Sequence, residues 1–163
     1  MDRRRELLDL LLENARYSTD DLARLSGLSI DEVDETIESL EAEGAIRGYQ
    51  AIVDWERTDQ ERARAEVELN VRLDRETGYD DIARRLARFP EVSSLQLVSG
   101  NYDFLAQVEA DTIREISQFV SEKIAPLPEI TQTVTHFVME TYKERGVEMD
   151  DGYDEDDRLS VSP

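Results

Sequence analysis

The sequence predicts an α+β chain in two folded parts, three short helices followed by a domain of strand–helix–strand–strand–helix–strand order. Up to residue 43 the apolar residues recur at helical spacing. Beyond residue 63, two-residue alternation marks strands between further helical stretches, and Ser, Gly and Pro punctuate both parts.

Leu7, Leu8, Leu11, Leu12 and Ala15 define a first helix from about Asp2 to Asn14. Ser18 or Thr19 caps a second, with Asp20 and Asp21 in its first turn and Leu22, Ala23 and Leu25 facing inward. Gly27 ends that helix in a tight turn. Ser29 caps a third, and Glu32 completes a capping box. Ile30, Val33, Ile37 and Leu40 form its inward stripe, and Gly44 closes it. Three short helices with a glycine turn between the last two make a helix-turn-helix unit.

Residues 45–53 read as an extended segment leaving that unit, and the wholly polar stretch from Glu56 to Arg62 as a linker. Ala65, Val67, Leu69 and Val71 alternate with polar residues in a strand with one buried face. Tyr79, Ile82, Ala83, Leu86 and Phe89 mark a helix ended by Pro90. Val92–Val98 and the alternation Phe104, Ala106, Val108 are two strands joined by a Gly100-Asn101 turn. Thr112 caps a helix carrying Ile113, Ile116, Phe119, Val120 and Ile124, stopped by Pro126 and Pro128; Ile130–Glu140 is the last strand. A ferredoxin-like sandwich satisfies this order, with two helices on one face of a four-stranded antiparallel sheet. Its other face, uncovered in a monomer and expected to be apolar, predicts a homodimer joined through it. The expected domains are 1–50, an exit strand and linker at 51–63, the βαββαβ domain at 64–146, and a disordered acidic tail at 147–163.

Composition limits the function. With 163 residues, the chain holds one ordinary domain or two small ones. The formal net charge of −20 repels nucleic acid and anionic membranes at long range. No cysteine and a single histidine remove thiolate nucleophiles and Cys- or His-based metal sites, so no metal or cofactor is expected. The charged start does not read as a signal peptide, and no apolar run approaches a membrane span, so a cytoplasmic soluble protein is expected. Of the basic residues only Lys123 and Lys143 are lysines; a carboxylate-rich, lysine-poor surface suits a cell that keeps concentrated salt inside.

Residues 11–16 (Leu-Leu-Glu-Asn-Ala-Arg), residues 18–29 from Ser18 to Ser29, the set Val33, Ile37, Leu40, Glu41, Gly44, Ile46, Gly48 and Tyr49, then Phe89-Pro90-Glu91-Val92 and Gly100-Asn101-Tyr102-Asp103 stand in a distinctive order. Together they resemble the Lrp/AsnC (leucine-responsive/asparagine regulator, feast/famine) family of transcription factors, of haloarchaeal type. The resemblance runs from about Arg5 to Tyr142. It implies a winged-type helix-turn-helix domain that binds DNA, and a C-terminal domain that builds dimers and higher oligomers and senses a small molecule, commonly an amino acid.

The DNA-reading surface departs from that pattern. The third helix holds no basic residue and seven carboxylates: Asp31, Glu32, Asp34, Glu35, Glu38, Glu41 and Glu43. A carboxylate can accept a hydrogen bond from a cytosine amino group, but phosphate repels it. The candidate DNA-binding residues are therefore Ser29, Thr36 and Ser39, with Arg3, Arg4, Arg5 and Arg47 holding the backbone from the flanks, helped by Arg16 and Arg24. Salt would screen the carboxylates, and cation uptake on binding would flatten or invert the usual loss of affinity. The alternative is a partner protein that does not bind DNA and co-assembles with a paralogous regulator through its C-terminal domain.

For the effector, the resemblance points to Gly100, Tyr102 and Asp103, whose carboxylate is expected to accept from an ammonium group. Thr131, Thr133 and Thr135 alternate on the last strand, and Thr133 and Thr135 are the candidates to meet a carboxylate. His136 falls on the opposite strand face as a packed or interfacial residue. No nucleophile–base pair or phosphate-cradling loop is present, so no catalytic residue is assigned.

Overall fold

A computed structural model describes residues 3–149, which divide into two compact units between Ile52 and Val53. In the first, α1 (Arg3–Glu13), α2 (Thr19–Ser26) and α3 (Ile30–Ala42) pack around Leu7, Leu22, Ala23 and Val33, with Leu10, Leu11, Tyr17, Leu28 and Ile37 against them. Both α2 and α3 begin with reciprocal caps. Ser18 accepts from the Asp21 amide while Asp21 accepts from Ser18, and Ser29 and Glu32 repeat the arrangement. Gly27, at φ 72°, turns the chain between them in the left-handed region that glycine adopts without penalty.

The inward stripes are narrower than the spacing predicts. Leu12 is 83% exposed, Leu25 42% and Ile30 47%. Three helices this short enclose a core only a few side chains wide. Leu12 and Ile30 sit at the ends of their helices, beyond its reach. From Arg47 to Ile52 the chain belongs to no helix or strand, so the expected exit strand has no ladder. This unit's described residues hold no other strand for it to pair with.

In the second unit, β1 (Ala63–Val71), α4 (Tyr79–Leu86), β2 (Val92–Leu97), β3 (Phe104–Ala110), α5 (Ile113–Phe119) and β4 (Ile130–Phe137) follow the expected order. The sheet is antiparallel, ordered β2-β3-β1-β4, with β1 flanked by β3 and β4. Its inner face buries Ala65, Val67, Leu69, Phe104, Ala106 and Val108 against Ile82, Leu86, Ile116 and Phe119. Thr112 caps α5 reciprocally with Glu115, and α5 runs on into a π-helical turn at Val120–Ile124.

Three features of this unit differ from what the sequence predicts. The outer sheet face is mixed rather than apolar: Glu66, Glu68, Gln107 and His136 stand beside Leu105 and Val134, since alternation that points leucine and valine inward points their polar neighbours outward. The segment taken as tail from Val147 begins as structure. There β5 (Lys143–Glu144) pairs with β6 (Val147–Glu148) across Arg145 and Gly146, both at positive φ as a tight hairpin turn requires. The acidic residues beyond Met149 lie outside the described residues. The polar linker also carries structure, a 3-10 turn at Trp55–Arg57 with Arg62 stacked 5.2 Å from the Trp55 ring.

Candidate nucleic-acid interface and effector loop

The geometry of α3 follows from which carboxylates find partners. Asp31, Glu35 and Glu38 recur at spacings of four and three residues, so they share one outward ridge. They make no hydrogen bond or ion pair among the described residues. The carboxylates at the edges are engaged instead. Thr19 donates to Asp34 at 3.1 Å and Tyr49 to Glu41 at 2.8 Å.

Glu32 receives Arg3 Nη1 at 2.7 Å, and Glu43 receives both terminal nitrogens of Arg4, at 2.5 and 3.1 Å. Two of the arginines expected at phosphates are thus held by a carboxylate of α3 and by the one on its C-terminal capping residue. Arg5 lies 3.9 Å from Asp9. The Arg47 guanidinium packs against Gly44, its carbon 3.0 Å from where a Cβ would stand, so any side chain at 44 would displace it. Arg47 makes no ion pair among the described residues.

The candidate hydroxyls are occupied as well. Ser29 donates to Glu32, Thr36 to the Glu32 carbonyl at 2.6 Å, and Ser39 to Glu43 at 2.7 Å. The Ser29 hydroxyl also accepts from the Glu32 amide; what acceptor capacity the three keep does not serve phosphate, which needs donors. Ser29, Thr36 and Ser39 therefore serve helix geometry in the free protein, a role their sequence spacing alone did not separate from recognition.

Bonds from the Ser29 amide and hydroxyl, with Arg3 nearby, hold Glu32 below its usual value of 4.5; bonds from the Ser18 hydroxyl and amide hold Asp21 below 3.8. A depressed carboxylate stabilises the fold fully above its unfolded value and loses that contribution as pH falls through the folded one. Acidification below those values is therefore expected to free the Ser18 and Ser29 caps, and Ser29→Ala to shift the α3 transition to higher pH. Amide NMR of these residues is the right readout, because protonation also relieves overall charge repulsion.

In the second unit the structure gives Asp103 a different task from the one expected. One of its oxygens accepts from the Val71 amide at 2.9 Å and the other from the Tyr79 hydroxyl at 3.0 Å. The carboxylate thus ties the β3 entrance to the irregular end of β1 and the start of α4. That bond and the nearby charge push the Tyr79 hydroxyl above its usual value. Tyr79 also meets Phe104 edge-on at 5.9 Å. Gly100, at φ 136°, is exposed; Tyr102 is half-buried.

Thr133 and Thr135 are half-buried on the inner face of the edge strand β4, and no hydrogen bond engages their hydroxyls among the described residues. Leu69 pairs with both Thr133 and Phe104, which places Thr133 two strand spacings from the Asp103 loop, roughly 10 Å, at one end of the sheet. Thr135 is one pleat farther away. Thr131 is tied to the Asn70 carbonyl. His136 meets Glu68 at 3.0 Å on the outer face.

Sequence reasoning passed over a cavity of about 470 Å³ lined by Trp55, Arg62, Arg64, Val138, Tyr142 and Glu144, among others. Two of its arginines are paired, Arg64 with Glu144 of the lining at 2.7 Å and Arg62 with Glu109 outside it at 2.6 Å. Burial alone would raise Glu109, and bonds from Arg62, Ser93 and Gln107 with the Arg62 charge outweigh it. The signal in the sequence was the single tryptophan with arginines close behind it. No group of side chains suited to a metal ion occurs among the described residues, and no helix is long and apolar enough to cross a membrane.

Residues 64–148 match the Lrp/AsnC ligand binding domain, and residues 2–47 match a winged helix-turn-helix DNA-binding domain. The uncharacterised HTH-type transcriptional regulator YugG of Bacillus subtilis (strain 168) is 36% identical over 97% of this chain and 95% of its own length. The leucine response regulatory protein LrpA of Mycobacterium tuberculosis shares the fold at a TM-score of 0.74 and 24% identity, covering 92% of this chain and 99% of that one. A transcriptional regulator of Neisseria meningitidis solved in complex with L-Met gives 0.71 and 23%, covering 88% and 92%.

Proposed function

The chain belongs to the Lrp/AsnC family and is a transcriptional regulator of that type rather than an enzyme; we propose that it reads duplex DNA through α3 and its flanking arginines and answers a small molecule through the βαββαβ unit. The observation that carries this is the intact helix-turn-helix frame: reciprocal caps on α2 and α3, a left-handed glycine between them, and a ridge of α3 left bare. Arg3, Arg4, Arg5 and Arg47 supply phosphate contacts, and Ser29, Thr36 and Ser39 border the groove.

The effector site lies at the sheet end bearing Gly100, Tyr102, Thr133 and Thr135, with Asp103 holding the loop and offering its remaining lone pairs. An amino acid fits two hydroxyls and an acidic acceptor, and the Neisseria regulator of like fold was solved with L-Met. Subunits join through the outer sheet face, where Leu105 and Val134 supply the apolar contact and Glu68–His136 a polar one. The carboxylate-rich, lysine-poor surface suits the cytoplasm of a salt-accumulating, haloarchaeal-type cell.

Fluorescence anisotropy with labelled fragments of the gene's upstream region, titrated from physiological to multimolar potassium chloride, tests the DNA reading. Saturable, sequence-preferring binding that persists with salt is expected. Light scattering at high salt should show a dimer or larger; a clean monomer would sink the sheet-face interface.

One observation favours a second reading. The bare acidic ridge of α3 is equally a docking face for a basic protein surface, as in a partner that tunes a paralogous regulator. No duplex binding at any salt, with the oligomer intact, would select that reading.

A further inference from the structure

We propose that the N-terminal unit carries two phosphate-docking positions, one beside each end of α3, and that in the free protein each is filled by a carboxylate of α3 itself. This rests on the DNA reading and adds the way binding is limited. Arg3 on Glu32 and Arg4 on Glu43 are the contacts a phosphodiester would make, charged guanidinium N–H groups on anionic oxygens, the Arg4 pair bidentate.

The two carboxylates are eleven residues apart, close to three full turns, so both lie on one edge of α3, bordering the bare ridge. Along the axis that separation is about 16 Å, enough to flank a major groove about 12 Å wide. α1 supplies both arginines, and the spacing of its partners on α3 sets where the two phosphates dock. Glu32 and Glu43 are surrogate phosphates, and DNA binds by exchange.

Exchange has a signature in salt dependence. An arginine that neutralises a phosphate releases a condensed cation, contributing about 0.9 to the slope of log affinity against log salt. Here each docking event also strands a carboxylate beside the duplex, and that carboxylate draws a cation back. The two effects offset, and added salt loosens the internal pairs as it weakens the DNA contacts. A shallow slope follows for a protein whose arginines do reach phosphate.

The test is a double-mutant cycle with a labelled duplex from the upstream region as probe. Glu32→Gln and Glu43→Gln remove the charges while keeping an oxygen to accept from Ser29 and Ser39, and glutamine still completes a capping box. The paired change should tighten binding about two- to thirtyfold at low salt, the range that two exposed ion pairs imply. It should also steepen the salt slope by up to about 1.8.

In a background of Arg3→Gln and Arg4→Gln the same two changes should give no such gain. An equal gain in that background would overturn the proposal, because the carboxylates would then act only as general repulsion. Unchanged affinity and slope would overturn it too. Absence of binding by every variant at every salt would remove the DNA reading itself and this inference with it. Circular dichroism of each variant checks that the helices persist.

Discussion

Asp103→Ala is expected to destabilise the βαββαβ unit by about 3 kcal/mol, because it removes the acceptor of two charge-assisted hydrogen bonds and leaves the Val71 amide without a partner. For a unit of this size that lowers the midpoint of thermal unfolding by roughly 10–20 °C. Asp103→Asn should cost much less, since its amide oxygen can still accept from Val71 and its amino group can donate to the Tyr79 oxygen. The pair of variants separates architecture from effector chemistry. If Asp103 acts mainly as a tie, the asparagine variant keeps both its fold and its response to amino acids. If its charge also meets the effector's ammonium group, that variant keeps the fold and loses the response. Calorimetric unfolding with and without a panel of amino acids distinguishes the two. A stable alanine variant would show that the tie is dispensable.

Local chemistry was legible in the sequence, and long-range pairing was not. Ser29 with Glu32 and the cap at Thr112 could be read because both partners of each contact lie within one turn. The order of strands and helices along the chain could be read because alternation and helical spacing are properties of neighbours. Arg3 and Glu32 are 29 positions apart, Arg4 and Glu43 39, and nothing in either neighbourhood announces the other. The same holds for Asp103, whose turn reads as a ligand loop until Tyr79 and Val71 are brought to it from 24 and 32 positions away.

The outer sheet face is a different case. Glu66, Glu68 and Asn70 spell a polar surface on β1 in the sequence itself, so a sheet face left uncovered need not be apolar. Leu25 and Ile30 fell outside the core because a stripe drawn on a helix takes no account of how little a three-helix unit can cover.

Reversing the outward ridge with Asp31→Lys, Glu35→Lys and Glu38→Lys should raise affinity for duplex DNA by about two orders of magnitude or more at low salt. The salt slope should steepen by up to about 2.7, as three cationic side chains now face the phosphate field. These residues are exposed and engage nothing else among the described residues, so the substitutions leave the core and both reciprocal caps in place. Sequence preference should fall at the same time, because lysine adds a non-directional charge where a carboxylate accepted only from amino groups of bases. Anisotropy with the upstream duplex and a scrambled one reads both effects. A protein whose α3 faces solvent or a protein partner gives another result: the lysines add only a general charge of six, felt equally by the two duplexes and screened by moderate salt. The discriminating quantity is therefore the ratio of affinities for the two duplexes as salt rises. A ratio above one in the native chain that collapses in the lysine variant places α3 in the groove; a ratio of one in both places it elsewhere.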